Sequence, residues 1–128
     1  MSGRLFSVEE ANALLPALVR LMERMFAARE KIIAMGDELE RVLAASSGNG
    51  GGKGASRAAA EIGVISEIVA EIRGLGCEIR DLDEGLVDFP ARHPGGEGRV
   101  VFLCWRYGED KIEWWHETDA GFAGRQHL

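Results

Sequence analysis

The sequence predicts an α+β fold: a long antiparallel helical hairpin followed by a small antiparallel β-meander packed on the N-terminal half of the first helix. Three observations lead there. Apolar residues recur in steps of four and three through the first third of the chain, a glycine-rich run separates them from a second seam of the same period, and from Cys77 onward the apolar period changes to two. At 128 residues the chain has the size of one ordinary domain, so a single domain over 1–128 is expected.

The first helix is expected over 8–45. Its start is written as a capping box: in Ser7-Val8-Glu9-Glu10 the Ser7 hydroxyl can accept the Glu10 backbone N–H while the Glu10 carboxylate reaches back to the Ser7 N–H. Glu9 and Glu10 also suit the positive end of the helix dipole. Leu14, Leu18, Leu21, Met25, Ala28, Ile32, Met35, Leu39 and Val42 then form a heptad seam. Pro16 lacks the N–H that would bond the Asn12 carbonyl, so a kink is expected near Leu15.

Residues 46–56 read as a flexible, glycine-rich connector. A phosphate-binding loop would need a Gly-Lys-Ser/Thr ending and a preceding strand, and Gly54-Ala55-Ser56 supplies neither. A second seam, Ala58, Ile62, Ile65, Val69 and Ile72, predicts a second helix over 57–75, stopped by Gly74 and Gly76. The second helix is much shorter than the first and covers only its Ala28–Ala45 part. The stripe from Leu14 to Met25 therefore needs the sheet or a second copy of the chain as cover, and a homo-oligomer, a dimer, is the expected partner state.

The antiparallel sheet is expected over 77–117 and a tail over 118–128. Cys77 to Leu82 and Leu86 to Ala91 flank the turn Asp83-Glu84-Gly85, and Pro90 confines the second of these strands to a sheet edge or to its own end. Arg99 to Tyr107 and Lys111 to Glu117 follow, joined across Gly108-Glu109-Asp110. An even-length turn places Val101, Leu103, Trp105, Tyr107, Ile112, Trp114 and His116 on one face, and sets Arg106 near Glu113; a turn one residue longer swaps the partners. The tail is too rich in glycine to continue a strand.

Fifteen basic and 21 acidic side chains leave a formal charge of -6, so nucleic acid is not an expected partner. Met1 to Leu15 lacks the pattern of a signal peptide and no stretch reaches the roughly 20 apolar residues of a membrane helix, so no membrane association and a cytoplasmic location are expected. Cys77 and Cys104 lie outside any paired metal-ligand spacing and read as small buried thiols. Trp105, Trp114 and Trp115 read as core and interface bulk rather than a stacking platform.

The residues that can carry chemistry are few. His116 and Glu117 close the last strand and Asp88 lies in a neighbouring hairpin. Imidazole and carboxylates meeting from two strands form the donor set of a divalent metal, or a general acid–base pair, which makes His116, Glu117 and Asp88 the candidate metal ligands. Their spacing matches no standard zinc motif, and a core histidine satisfied by one buried carboxylate is the competing structural reading. Asp88, Arg106, Glu109 and Arg125 are candidate ligand-binding residues, because guanidinium groups beside the Gly121–Gly124 backbone can cradle an anion. Ion pairs of Arg106 with Glu109 or Glu113 would explain the same residues without a ligand.

Five blocks carry a family resemblance: Phe6-Ser7-Val8-Glu9-Glu10-Ala11-Asn12 with Leu14-Leu15-Pro16; Gly85 to Ala91; Leu103-Cys104-Trp105-Arg106 with Gly108-Glu109; Trp115-His116-Glu117; and Gly121 to Gln126. In this order they resemble the bacterial family called domain of unknown function 2203, over nearly the whole chain. That family name implies no activity and no catalytic residues. Two functions are therefore expected from the residues themselves. The first is a non-enzymatic interaction or scaffold module that self-associates through the first helix. The second is a small metal- or anion-dependent enzyme or ligand-binding protein with its site around Asp88, His116, Glu117 and Arg125.

Overall fold

A computed structural model describes residues 4–45 and 51–128. Two helices, α1 (Val8–Ala45) and α2 (Gly51–Gly74), precede a five-stranded antiparallel sheet of β1 (Glu78–Asp81), β2 (Leu86–Arg92), β3 (Val100–Arg106), β4 (Trp114–His116) and β5 (Gln126–His127), paired in that order. The chain divides into two compact units. One holds the residues up to Arg20 together with Glu71–Leu128, the other Leu21–Ala70.

Among the described residues of the Leu21–Ala70 unit, the buried side chains are Leu21, Met22, Met25 and Ala28 of α1 and Ile68 of α2. They fall on one stripe of each helix, as the heptad spacing requires. α2 starts at Gly51, inside the run expected to be connector, rather than at Arg57. Once the alanine-rich stretch Arg57–Ala60 has nucleated a turn, each further residue gains a backbone hydrogen bond, which offsets the roughly 1 kcal/mol that a glycine costs relative to alanine. The first part of that expected connector, Ser46–Gly50, lies outside the described residues.

The other unit begins with the capping box. Glu10 N–H donates to Ser7 Oγ at 3.0 Å and Ser7 N–H donates to Glu10 Oε1 at 2.8 Å. These bonds hold the Glu10 carboxyl below its ordinary range, the Ser7 backbone N–H being the larger cause. α1 continues through Pro16. α2 ends at Gly74, and Gly76 follows with φ +98°, a left-handed conformation open to glycine without steric cost.

The β1–β2 turn is organised by Asp81, whose Oδ1 accepts the N–H groups of Asp83 (2.9 Å) and Glu84 (3.1 Å), and by Gly85 at φ +68°. Pro90 lies past the last β1–β2 pair, Glu78↔Asp88, where no β1 residue would receive its missing N–H. Its carbonyl instead accepts the Phe6 N–H at 2.7 Å.

The β3–β4 register differs by one residue from the expected one. Phe102 pairs His116, Leu103 pairs Trp115 and Cys104 pairs Trp114. The connection is longer than three residues because two side-chain bonds organise it. Trp105 Nε1–H donates to the Glu109 carbonyl at 2.9 Å, and Ile112 N–H donates to Asn12 Oδ1 at 2.7 Å. Ile112 is thereby held out of the ladder, and β4 starts only at Trp114. The glycine-containing tail also differs from expectation: after the 3₁₀ turn Phe122–Gly124 it returns as β5, with Trp114 opposite His127 and Trp115 opposite Gln126.

This register gives the sheet two unlike faces. Val87, Phe89, Ala91, Val101, Leu103, Trp105 and Trp115 share one, and all are buried. Phe6 meets Phe89 edge-on on this side, at 5.3 Å between ring centroids. With Ala11, Leu15, Leu18 and Ile72 these residues are the core of the unit, and each large side chain contributes about 1.5–3 kcal/mol by burial. Asp88, Phe102, Cys104, Trp114 and His116 share the opposite face.

Candidate functional site

Strand pairing assembles the site. Asp88 of β2 is opposite Cys104 of β3, and Phe102 and Cys104 are opposite His116 and Trp114 of β4, so Asp88, Cys104 and His116 come from three adjacent strands onto one face. All three are buried, Asp88 completely and His116 to within 2%. One ligand atom from each lies within 4.8 Å of the other two.

His116 is oriented by its backbone neighbour. Nδ1 is 2.8 Å from the Glu117 carbonyl, which can only accept, so Nδ1 carries the proton and donates. That same carbonyl receives the Ala120 N–H at 3.0 Å, which ties the ring to the turn that follows β4. The other nitrogen, Nε2, is 3.1 Å from Asp88 Oδ2. With Nδ1 protonated, a neutral ring would point a lone pair at a carboxylate oxygen. The contact is therefore favourable only with a second proton or another cation between Nε2 and Oδ2.

Asp88 Oδ2 also accepts from Arg80 Nε at 2.7 Å, and the Arg80 guanidinium lies over the Phe102 ring at 4.6 Å. The second carboxylate oxygen, Oδ1, is buried with no hydrogen-bond partner. A buried charged acceptor without a donor is costly, on the order of 1–3 kcal/mol or more, so this atom is either a source of strain or a binding determinant. Beside it the Cys104 thiol is pushed up to about 12, first by burial and next by the Asp88 charge, with a weak S–H hydrogen bond to the Asp88 carboxylate adding to it, and is neutral without a cation partner.

These residues form the floor of a cavity of about 190 Å³, walled by Arg80, Leu86 and the segment from Thr118 to Phe122. The wall is a tight turn: Gly124 N–H donates to the Gly121 carbonyl at 2.9 Å, and a Cβ on Gly124 would approach that of Ala120 to 2.9 Å.

The remaining candidates separate from this cluster. Glu117 contributes its carbonyl, while its carboxylate turns to Arg99, with Arg99 Nε donating to Oε1 at 3.2 Å; that pairing holds the Glu117 carboxyl below its ordinary range. Arg106 pairs with Glu84 rather than Glu113, and its backbone N–H donates to Glu109 Oε1 at 2.8 Å. Arg125 donates to Glu109 Oε1 at 2.7 Å and to the Cys104 carbonyl at 3.2 Å, with the Trp114 and Phe122 rings against it. Glu109 thus pairs with Arg125, while the Arg106 side chain pairs with Glu84, and both guanidinium groups lie near the Phe122 ring.

Two contributors escaped the sequence reading. Cys104 shares the face of His116, against expectation, because the β3–β4 connection is one residue longer than the even-length turn allows. Arg80 sits on a strand too short to show alternation. The signal that would have found Cys104 is the alternative register, which puts Phe102, Cys104, Trp114 and His116 on one face.

No curated protein and no solved structure shows significant similarity to the chain. The sequence model of one family, described as uncharacterized conserved protein (DUF2203), matches residues 4–128, and this span takes in the capping box, both helices and every strand that builds the site. The chain therefore belongs to the DUF2203 family.

Proposed function

We propose that the protein binds a small polar ligand in the cavity on the Asp88 face of the sheet, and that this pocket is its working site. The observation that carries the reading is Asp88 Oδ1, a completely buried carboxylate oxygen without a partner on a residue that lines the cavity. An oxygen so placed calls for a hydrogen-bond donor or a cation, so the ligand presents one or the other. The volume, about 190 Å³, is below the roughly 300–1,000 Å³ of pockets for drug-sized ligands, which limits the occupant to an ion or a molecule of few heavy atoms. Arg80 holds Oδ2 and leaves Oδ1 for that occupant.

Amide NMR spectra recorded against a library of small amines, amides, alcohols and divalent cations test this reading. Perturbations should cluster on Arg80, Asp88, Cys104, His116 and 118–122, and Asp88→Asn should remove them. If no compound perturbs that cluster, the reading fails.

Self-association through α1 is the second reading. One observation favours it: Ile33 and Ile62, both in the Leu21–Ala70 unit, are 51% and 54% exposed. Against it, Leu18, Leu21 and Met25 of the seam are already buried within one chain. Light scattering on eluted fractions at micromolar concentration decides: a dimer supports self-association, a monomer removes it.

A further inference from the structure

We infer that Asp88, Cys104 and His116 bind one divalent transition-metal ion, of which zinc is the best match, with its fourth coordination position on the cavity side. This rests on the reading of that cavity as the working site and names the cation its floor takes.

Four features of the cluster support the assignment. The donors are one carboxylate oxygen, one sulfur and one imidazole nitrogen. This mixed set suits zinc, whereas calcium and magnesium take oxygen ligands. The atoms are already within 4.8 Å of one another; with metal–ligand bonds of about 2.0–2.3 Å, tetrahedral donors sit about 3.5 Å apart, a difference that side-chain torsions can close.

The third feature is the outer shell. Metal-bound histidines characteristically donate their distant N–H to a carbonyl or carboxylate, and His116 Nδ1 does so to the Glu117 carbonyl. That bond fixes the tautomer whose Nε2 lone pair faces the cluster. Arg80 occupies Asp88 Oδ2 and leaves Oδ1 free, as expected for a carboxylate bound through one oxygen.

The fourth feature is charge. The unpartnered Oδ1 and the opposed Nε2 and Oδ2 lone pairs are both relieved by a cation placed among them. Three protein ligands leave one position vacant, the arrangement of zinc sites that bind an exchangeable group rather than of closed structural ones. Because all three residues line the cavity, that position falls where a small ligand enters.

The test is a cobalt titration of the full chain after chelator treatment and reduction. The expected result is one Co²⁺ per chain, with the intense visible bands of a tetrahedral site and a thiolate-to-cobalt charge-transfer band, displaced by one equivalent of zinc. Cys104→Ser should lose the charge-transfer band, and His116→Gln should weaken binding about 10-fold or more. Cys77→Ser, which changes the other buried thiol, should retain the full spectrum.

Absence of saturable binding by the wild type overturns the inference, as does a charge-transfer band that survives in Cys104→Ser. If small organic donors perturb the cavity residues while cobalt does not bind, the metal assignment fails and the pocket reading stands. If neither does, both fail.

Discussion

His116 presents its two ring nitrogens to different partners, and the difference decides what the residue can do. Nδ1 is committed to the Glu117 carbonyl, and only Nε2 remains for Asp88 or for a bound cation. In metal-free protein, His116→Gln removes a buried ring and its Nδ1–H bond to the Glu117 carbonyl and should lower stability by about 1–3 kcal/mol in chemical denaturation. Glu117→Gln offers the contrast, because its ion pair with Arg99 is solvent-exposed. The denaturation midpoint should stay close to that of the wild type. Asp88 and His116 were legible in the sequence as carboxylate and imidazole in neighbouring hairpins, and β3 lies between their strands. Cys104 was not, since its face depends on a turn length set in part by Asn12 of α1, whose side chain accepts the Ile112 N–H from 100 positions away.

Elements differ in how much of their structure is local, and legibility follows that difference. The start of α1 is fully local: Ser7 and Glu10 recognise each other across one turn, and the sequence shows the motif directly. Ser7→Ala should cost about 1 kcal/mol of stability, read as a lower denaturation midpoint. Glu10 adds a pH dependence whose sign is set by its lowered pKa. Its contribution is fully present above the ordinary carboxylate value of 4.5 and is lost as pH falls through the lower folded value. The stability difference between wild type and Glu10→Gln should therefore shrink on acidification below that point. The β1–β2 turn is local too. Gly85 at φ +68° admits a side chain only with strain, and Gly85→Ala should destabilise by about 1 kcal/mol or more. β4 and β5 are not local. Each has at most three residues, and β5 forms a strand because Trp114 and Trp115 supply a free edge, an influence that no window of the tail sequence contains.

Of the seam that suggested a second chain, Leu18, Leu21 and Met25 are buried within one chain and Leu14 is half-buried. No described helix is long and apolar enough to cross a membrane. The most unusual polar feature is a sheet with an apolar core face and, on the other face, a buried carboxylate, thiol and imidazole brought together from three strands. The Arg80 guanidinium pairs Asp88 Oδ2, whereas Oδ1 is buried without a partner, and an unsatisfied buried acceptor is costly. The Asp88–Cys104–His116 zinc site is tested most directly by crystals grown with zinc and measured at the zinc absorption edge. One anomalous peak per chain is expected, about 2.0–2.3 Å from Asp88, Cys104 Sγ and His116 Nε2. A map with no peak there, or with zinc bound only at surface carboxylates, would contradict it.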